Sequence, residues 1–308
     1  MTKPDPALDC LVIGAGPAGL TAAIYLARFH LAIALVDAGN SRAALIPRTR
    51  NHAGYPGGIP GRDLLARMRD QAAGFGAPVH RGAVGRLVRE DDGFVAQAED
   101  GRRWRARTVL LATGVVNRRP AIDPAIHDEA LARGLLRYCP ICDGYEVTDR
   151  RIGVIGSGSH GADEALFLRM YSADVTLVAP AGAHDLSTGD RARLEAAGVA
   201  LADGPCADLR IDGDAIVVPA AGHALAFASV YPALGSDIRS ELALALGAAA
   251  SEEGCVTTDA HQRTSVAGLY AAGDVTRGLD QISHAMGQAG VAATTIRNDL
   301  AERGPLLR

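Results

Sequence analysis

The sequence predicts an α/β protein built around two Rossmann-like βαβ units. An apolar strand runs into a glycine-rich loop at residues 14–19, and the same pattern returns at residues 156–161. Glycine, at 36 of 308 residues, exceeds its usual share of ~7 % because it clusters at such turns. The spacing between the two loops is far longer than a solenoid repeat, so we expect two domains rather than a repeat array.

The charge balance excludes several classes of function. The chain has 31 Lys+Arg and 35 Asp+Glu, a net charge of −4, which argues against binding to nucleic acid or to an anionic membrane. Lys3 is the only lysine. Because it lies at the extreme amino terminus, a lysine Schiff base and a P-loop lysine are excluded.

The cellular compartment can be predicted from the hydropathy pattern and the cysteines. No apolar run approaches the ~20 residues needed to cross a bilayer, and the first residues lack the basic and apolar segments of a signal peptide. Five cysteines are too few for a secreted disulfide scaffold of this length. We therefore expect a cytoplasmic protein without a membrane partner.

The first βαβ unit begins near the amino terminus. A strand, a helical Ala/Leu pattern and a second strand ending in Asp37 follow one another, with the glycine loop between the first two. Gly14 permits the tight turn, Gly16 lets backbone N–H groups approach a pyrophosphate, and Gly19 lets the helix pack on the strand. Asp37 is placed to bind a ribose hydroxyl, so the unit predicts a bound dinucleotide.

Short strands separated by turns are predicted for residues 79–114, and the last of them runs into Ala112, Thr113 and Gly114. Residues 117–120 end in proline and read as a linker. Near the carboxyl terminus an apolar strand ends in Gly273-Asp274, and a last helix is predicted from residue 281 to residue 300.

The second βαβ unit begins at residue 151. Its helix is predicted to run through Met170, and its second strand covers residues 175–178. Asp163 and Glu164 are interpreted as acids that open this helix, where they suit its dipole without any catalytic duty. The unit offers a possible second nucleotide loop, formed by Gly156, Gly158 and Gly161.

The pair Cys139 and Cys142 carries the strongest chemical signal. Two thiols separated by two residues can close a small disulfide ring, and such a setting lowers a thiol pKa so that a thiolate attacks at neutral pH. A zinc site would need two further ligands at a fitting spacing, and the other cysteines are single and scattered. We therefore predict a redox pair and no metal. Asp143 follows at once, either as part of a turn with Gly144 or as a carboxyl that relays a proton to the leaving thiolate.

The other three cysteines are interpreted as structural or spare. Cys10 lies in the first strand and is predicted to be a small buried hydrophobic residue. Cys206 and Cys255 lie in turn-rich segments and are predicted to be no more than spare thiols.

Several motifs in order resemble a known family. They are GAGPAG at residues 14–19, NHAGYPG at 51–57, ATG at 112–114, CPICDGYE at 139–146 and GLYAAGDV at 268–275. Through them nearly the whole chain is similar to the low-molecular-weight thioredoxin reductases and their relatives, which are FAD-dependent pyridine nucleotide–disulfide oxidoreductases.

The resemblance implies an FAD-binding domain made of residues 1–115 and 246–308, with a second Rossmann-like domain, residues 116–245, inserted in it. It implies that Asp37 holds the ADP half of FAD, that Asp274 accepts a hydrogen bond from a ribityl hydroxyl, and that the start of the last helix lies by the flavin. The cofactor-binding residues implied are Gly14, Gly16, Pro17, Ala18, Gly19, Asp37, Asn51, Ala112, Thr113, Gly114, Gly273, Asp274, Gln281 and Ile282.

The resemblance also assigns the catalytic roles. Cys142 would face the flavin, Cys139 would attack the substrate disulfide, and Asp143 would act as acid and base. It further implies a homodimer whose partner is a thioredoxin-like protein or a small disulfide or dithiol.

Two departures from the family pattern leave the electron donor open. Relatives that use NADPH carry a His-Arg-Arg segment after the second strand of the inserted domain, whose guanidinium groups bind the 2′-phosphate. Here that strand ends in residues 179–182, which read Ala-Pro-Ala-Gly, and Arg191 and Arg193 follow on a helix predicted to be a solvated face. The flavin-side helix lacks the usual Arg-Gln-Ala. His284, near its start, and His52 are possible accessory bases or packing residues.

Three hypotheses follow from these departures. One is a thioredoxin-type reductase that uses NAD(P)H through unusual contacts. The second is an enzyme without nicotinamide, either a dithiol oxidase or a ferredoxin-linked reductase. The third is a flavin-binding redox sensor with little turnover, against which the intact Cys pair with its adjacent Asp argues.

Overall fold

The computed structural model describes residues 8–307, so Lys3 and the first seven residues lie outside the described part. The strands are β1 (Leu8–Ile13), β2 (Ile33–Asp37), β3 (Val79–Arg81), β4 (Val84–Glu90), β5 (Gly93–Ala98), β6 (Arg103–Leu111), β7 (Val115–Asn117), β8 (Ile152–Gly156), β9 (Val175–Val178), β10 (Ala200–Ala202), β11 (Arg210–Asp212), β12 (Ala215–Ala220), β13 (His223–Phe227), β14 (Ser229–Ala233), β15 (Ser236–Ile238) and β16 (Leu269–Ala271). The helices are α1 (Pro17–Arg28), α2 (Gly61–Gly74), α3 (Pro124–Ala132), α4 (Pro140–Asp143), α5 (Gly158–Leu168), α6 (Thr188–Ala196), α7 (Glu241–Leu244) and α8 (Ile282–Glu302).

The chain divides into two compact units. Of the described residues, the first comprises 8–45, 60–116 and 238–307, and the second comprises 46–59 and 117–237. The chain passes between the units four times, at 45/46, at 59/60, within β7 and within β15, and these two strands pair. The boundaries expected from the sequence lie at 115/116 and 245/246.

The first unit holds a sheet in the order β3–β2–β1–β6–β5–β4, with β16 also paired to β6. The strands β2, β1, β6 and β16 run parallel, and β4 and β5 are antiparallel additions. Parallel strands are covered on both faces and are apolar throughout; Leu11, Leu35 and Leu110 are fully buried. The carboxyl ends of β1, β6 and β16 lie side by side, in register at Ile13, Leu111 and Ala271.

The second unit contains a parallel sheet in the order β10–β9–β8–β14 and a three-stranded antiparallel sheet, β11–β12–β13. Helix α5 packs on β8 and β9. Leu136 forms a parallel bridge with Val230 of β14, so the segment that leads to Cys139 runs along the outer edge of the parallel sheet.

Both predicted βαβ units are confirmed, because β1–α1–β2 and β8–α5–β9 each join parallel neighbours. The placement of Asp163 and Glu164 at the start of a helix is wrong. Helix α5 begins at Gly158, and its first turn holds no acid, because the last four residues of the glycine loop already belong to the helix. Among residues 8–307 no helix has the length and apolar character required to span a bilayer.

Candidate active site

Cys139 and Cys142 form a disulfide across a single helical turn. Cys139 is the N-cap of α4, and Pro140 occupies its first turn, where the missing N–H of proline costs nothing. The backbone N–H of Cys142 donates to the Cys139 carbonyl at 3.0 Å and lies 3.2 Å from its Sγ. The two Cα atoms are 5.3 Å apart, which is within the range for a disulfide. The predicted pairing is thus present, and both cysteines are half-buried.

Asp143, the last residue of α4, is held by two partners in the second unit, one six residues before it and one 88 residues after it. Its Oδ2 lies 2.9 Å from Nη1 of Arg137, and its Oδ1 accepts a hydrogen bond from the Tyr231 hydroxyl at 3.0 Å. Burial raises the pKa of Asp143, and the Arg137 charge and the Tyr231 hydrogen bond oppose that rise. The carboxyl that follows the disulfide is therefore half-buried and oriented by a partner at each oxygen.

The two partners are themselves fixed. Arg137 donates its backbone N–H to Val230 and its Nε to Gly134, both at 2.9 Å. Tyr231 lies in β14 and is fully buried. Burial and the nearby Asp143 charge raise the pKa of the Tyr231 phenol, so it stays protonated and remains a donor. The sheet edge thus sets the position of Asp143.

Glu164 is a second half-buried acid near Asp143, which the sequence pattern assigned only to a helix start. It lies on α5, which packs against α4, and its Oε1 is sealed from solvent without a hydrogen-bond partner among the described residues. Burial and the charge of Asp143 raise the pKa of Glu164 to about 7. Helical spacing could have found it, because residue 164 shares a face with the buried Gly161, Ala165 and Leu168.

The first glycine loop has the geometry of an anion cradle. Gly14 has φ +103, and a Cβ there would lie 2.3 Å from the Ala112 carbonyl oxygen. A Cβ on Gly19 would lie 1.7 Å from the Gly14 oxygen. Helix α1 begins at Pro17 with no side chain capping its N-terminus, so its N–H groups can face a phosphate. Asp37 accepts from the Ala15 N–H at 2.9 Å, which places its carboxylate at the loop.

The remaining predicted cofactor residues of the first unit cluster at the same sheet edge. Thr113 donates its hydroxyl to the Arg239 carbonyl at 2.6 Å, and the Gly273 N–H donates to Gln288 at 2.8 Å. Asp274 is held by Arg42 at 3.1 Å. Burial raises the pKa of Asp274, and the nearby Asp280 charge adds to this rise. These groups and the open α1 terminus fit a long polyhydroxyl-diphosphate ligand such as FAD.

Two further predicted residues of the first unit, Gln281 and Ile282, occupy the N-cap and first position of α8. His284 lies beside Gly278, where a Cβ would meet its Nε2 at 2.6 Å, and its charge acts on Asp274. His284 is therefore close to the Asp274 carboxyl within the first unit.

Asn51 and His52 belong to the second unit. Asn51 donates an amide hydrogen to the Ile141 carbonyl, between the two cysteines, at 3.4 Å. His52 stacks on Tyr55 with ring centres 5.7 Å apart. The NHAGYPG segment thus contacts the disulfide turn through Asn51.

The second glycine loop is engaged by the chain itself. The Gly158 N–H, the first of α5, donates to the Asp185 carbonyl at 2.8 Å, and the Asp185 N–H donates to the Ser157 hydroxyl at 2.9 Å. Arg191 donates to the His184 carbonyl at 3.2 Å. Arg193 pairs with Asp163 at 2.8 Å. Both arginines that follow the second strand therefore have protein partners.

The remaining cysteines differ in burial. Cys10 is fully buried, and burial raises the pKa of its thiol to about 12, which confirms the interpretation of Cys10 as a small hydrophobic residue. Cys206 is buried and Cys255 half-buried, both as free thiols. Over residues 8–307 no group of three or more His, Cys, Asp or Glu side chains could hold a metal ion.

The raised pKa of Glu164 predicts a pH-dependent stability. Between its ordinary value of 4.5 and about 7 the folded chain binds more protons at this site than the unfolded chain, so stability falls as pH rises. Glu164→Gln removes the ionisable group and with it this loss of stability at higher pH. We expect the variant to gain stability relative to the wild type, on the order of 3 kcal/mol, between about pH 4 and about pH 8.

The measurement is urea unfolding of the FAD-bound protein across this pH range. Asp163→Asn is the matched control, because it removes an exposed acid of the same helix that pairs with Arg193. A stability difference between wild type and Glu164→Gln that does not change with pH would show that Glu164 is ionised in the folded protein.

Three comparisons place the chain among known proteins. A family model for pyridine nucleotide-disulphide oxidoreductases matches residues 8–289. The thioredoxin reductase of Listeria monocytogenes is 30 % identical over 98 % of this chain and 97 % of its own length. That of Aquifex aeolicus is 35 % identical over 182 residues, which are 58 % of this chain and 55 % of that protein. The crystal structure of HlmI superposes with a TM-score of 0.87 at 32 % identity, covering 97 % of this chain and 94 % of that one.

The geometry agrees with these comparisons, because the chain has two parallel βαβ units, an uncapped helix terminus at a glycine loop and a disulfide followed by a half-buried carboxyl. The chain belongs to the pyridine nucleotide-disulphide oxidoreductases and is a flavin-dependent disulfide oxidoreductase of the thioredoxin reductase type.

Proposed function

We propose that this chain passes an electron pair between FAD and the Cys139–Cys142 pair, and between that pair and an external disulfide or dithiol. The observation that carries the proposal is the position of Asp143. The residue that follows Cys142 is a half-buried carboxyl fixed by Arg137 and Tyr231. A structural disulfide would need no oriented acid beside it, whereas thiol–disulfide exchange needs a proton at the leaving sulfur.

The first unit is the proposed FAD-binding domain and the second the inserted Rossmann-like domain. FAD, when bound, supplies the acceptor or donor of one electron pair. The uncapped terminus of α1 would hold its diphosphate, Asp37 a ribose hydroxyl and Asp274 a hydroxyl of the ribityl chain. Gly14, Gly19 and Gly273 keep side chains out of this cradle. We assign Cys142 as the thiol that exchanges electrons with the flavin.

The thiol chemistry follows from the disulfide turn. A substrate thiolate attacks Sγ of Cys139, the S–S bond breaks, and its electron pair leaves with Sγ of Cys142. Asp143 gives that sulfur a proton, so Cys142 leaves as a neutral thiol rather than a thiolate. In the opposite direction the Cys139 thiolate attacks the substrate disulfide, Cys142 loses its proton to Asp143 and then closes the ring by attacking the mixed disulfide.

The substrate class is proposed from the relatives. Two of them carry the name thioredoxin reductase, which supports a thioredoxin-like protein as partner, with a small disulfide or dithiol as the other candidate. The cytoplasmic location and the homodimer stay predictions from the sequence.

Substitution of the cysteines tests the proposed function. We expect Cys139→Ser and Cys142→Ser each to lower the rate of dithiol–disulfide turnover at least about a hundredfold, while FAD stays bound. Cys255→Ser is the control, because Cys255 is a half-buried free thiol outside the disulfide turn. The measurement is steady-state oxidation of dithiothreitol by the FAD-bound protein, with dioxygen as the terminal electron acceptor. Unchanged turnover in Cys139→Ser would show that the disulfide takes no part in the reaction.

A second candidate function is an exchange of electrons without nicotinamide, as in a dithiol oxidase or a ferredoxin-linked reductase. One observation favours it. In the second unit the Asp185 carbonyl already accepts from the Gly158 N–H, in a glycine loop that would otherwise face a pyrophosphate. A carbonyl oxygen there repels a phosphate oxygen, and Arg191 and Arg193 are engaged elsewhere. NAD(P)H would thus lose the glycine loop as a binding site for its pyrophosphate and the two arginines as partners for a 2′-phosphate.

The identity of the electron donor distinguishes a reductase that uses NAD(P)H from the second candidate, which does not. We expect the flavin absorbance of the protein to stay unchanged when NADPH or NADH is added without oxygen, and to bleach with dithiothreitol. Dithionite, which reduces flavin without a protein site, is the control for the flavin itself. Prompt bleaching by either nicotinamide would contradict the second candidate and support a reductase fed by NAD(P)H.

A further inference from the structure

Glu164 has no part in the function proposed so far, yet it is an acid with a buried Oε1 on the helix that packs against the helix of the catalytic carboxyl. We propose that Glu164 is a positioning residue that stores the proton which Asp143 gives to Cys142 and takes back from it. The two carboxyls then work as a pair that shares one proton. This inference rests on the proposed function, in which Asp143 is the acid and base.

The geometry supports a neutral Glu164. Its Oε1 is sealed from solvent and has no hydrogen-bond partner among the described residues, and a carboxylate in such a place is costly whereas a carboxylic acid is not. Arg137, the cation of this region, binds Asp143 at 2.9 Å. Glu146, whose charge acts on Asp143, lies 3.6 Å from Arg50. No described hydrogen bond therefore stabilises a negative charge at Oε1 of Glu164.

The order of ionisation follows from these contacts. Asp143 has a guanidinium and the Tyr231 hydroxyl to stabilise its carboxylate, so it ionises first. Burial, together with the charge of Asp143, then raises the pKa of Glu164 to about 7. Near neutral pH the pair holds one proton, which rests on Glu164, and a group with such a pKa both releases and regains a proton readily.

The proton and electron balance closes with a dithiol as reductant. A dithiol thiolate attacks Cys139 Sγ, and the electron pair of the S–S bond goes to Cys142 Sγ. The proton held by Glu164 passes through the Asp143 carboxylate to that sulfur. The second dithiol thiol then loses its proton and attacks the mixed disulfide, which yields the cyclic disulfide of the probe and releases the Cys139 thiolate. Of the two protons that the dithiol has lost, one goes to the Cys139 thiolate and one returns to Glu164, so the enzyme pair has gained two electrons and two protons and Glu164 is protonated again.

The test compares opening of the disulfide in the FAD-bound protein and in its Glu164→Gln variant. Dithiothreitol is the probe, and alkylation followed by mass spectrometry counts the free thiols at Cys139 and Cys142 over time. The ratio of the two rates at each pH cancels the titration of the probe. We expect the variant to be about tenfold slower near pH 6, where Glu164 carries its proton, and about equal near pH 8.5, with the change centred near pH 7.

Two other outcomes would overturn the proposal. A rate ratio that does not vary with pH indicates a structural role. A variant that equals the wild type near pH 6 and exceeds it near pH 8.5 indicates that Glu164 acts only through its charge. Glu164→Asp keeps the carboxyl and is expected to retain the pH-dependent change. Asp163→Asn, the exposed neighbour, is expected to behave as the wild type.

A second readout does not depend on turnover. Infrared difference spectra of the oxidised, FAD-bound protein between about pH 6 and about pH 8 are expected to show the loss of a carboxylic-acid C=O band. The band should be absent in Glu164→Gln and present in Asp163→Asn; a band that persists in Glu164→Gln would place the proton elsewhere.

Asp143→Asn separates this proposal from the function on which it rests. If Asp143→Asn slows disulfide opening while Glu164→Gln does not, the proton store is wrong and the role of Asp143 stands. If Asp143→Asn leaves disulfide opening unchanged, Asp143 is not the acid, and the route from Glu164 through it fails as well.

Discussion

The hydrogen-bonded ion pair between Asp143 and Arg137, completed by the Tyr231 hydroxyl, is the constraint on which the disulfide chemistry depends. It fixes the end of a helix only one turn long, which could not hold a position by itself. Gly144 allows the close approach this requires, since a Cβ there would lie 2.4 Å from the Tyr171 ring. The dipeptide Asp143-Gly144 thus serves both as a turn and as the means of burying a carboxyl beside Cys142.

The two glycine loops show how one backbone motif can be used in two ways. In both, a strand turns into a helix through glycines that cannot carry a Cβ, as at Gly19 and at Gly161, where a Cβ would lie 2.8 Å from the backbone of Gly156. At the first loop no side chain caps the helix terminus, and the Asp37 carboxylate accepts a hydrogen bond from the loop. At the second the chain folds back, and the Asp185 carbonyl takes the first N–H of the helix.

Local patterns predicted the parts of the fold that depend on near neighbours along the chain. The strand–loop–helix–strand order of both units and the Cys139–Cys142 pair are of this kind. The partners of Asp143 could not be found in this way, because Tyr231 is 88 residues away and no periodicity links them. The contact of the Asp185 carbonyl with the second glycine loop is likewise set by tertiary folding. Glu164 could have been recognised as a core-facing acid, since its helical face is otherwise apolar. The predicted helix start lay too far along the chain for this face to be seen.

The central claim is that the flavin and the Cys139–Cys142 pair exchange electrons within one chain. The most direct measurement is an anaerobic titration of the FAD-bound protein with dithionite, in which flavin absorbance and free thiols at Cys139 and Cys142 are followed together. The account predicts that each chain takes up two electron pairs, one held by the flavin and one that appears as two new thiols. Complete bleaching of the flavin after a single pair, with the disulfide still closed at equilibrium, would contradict it.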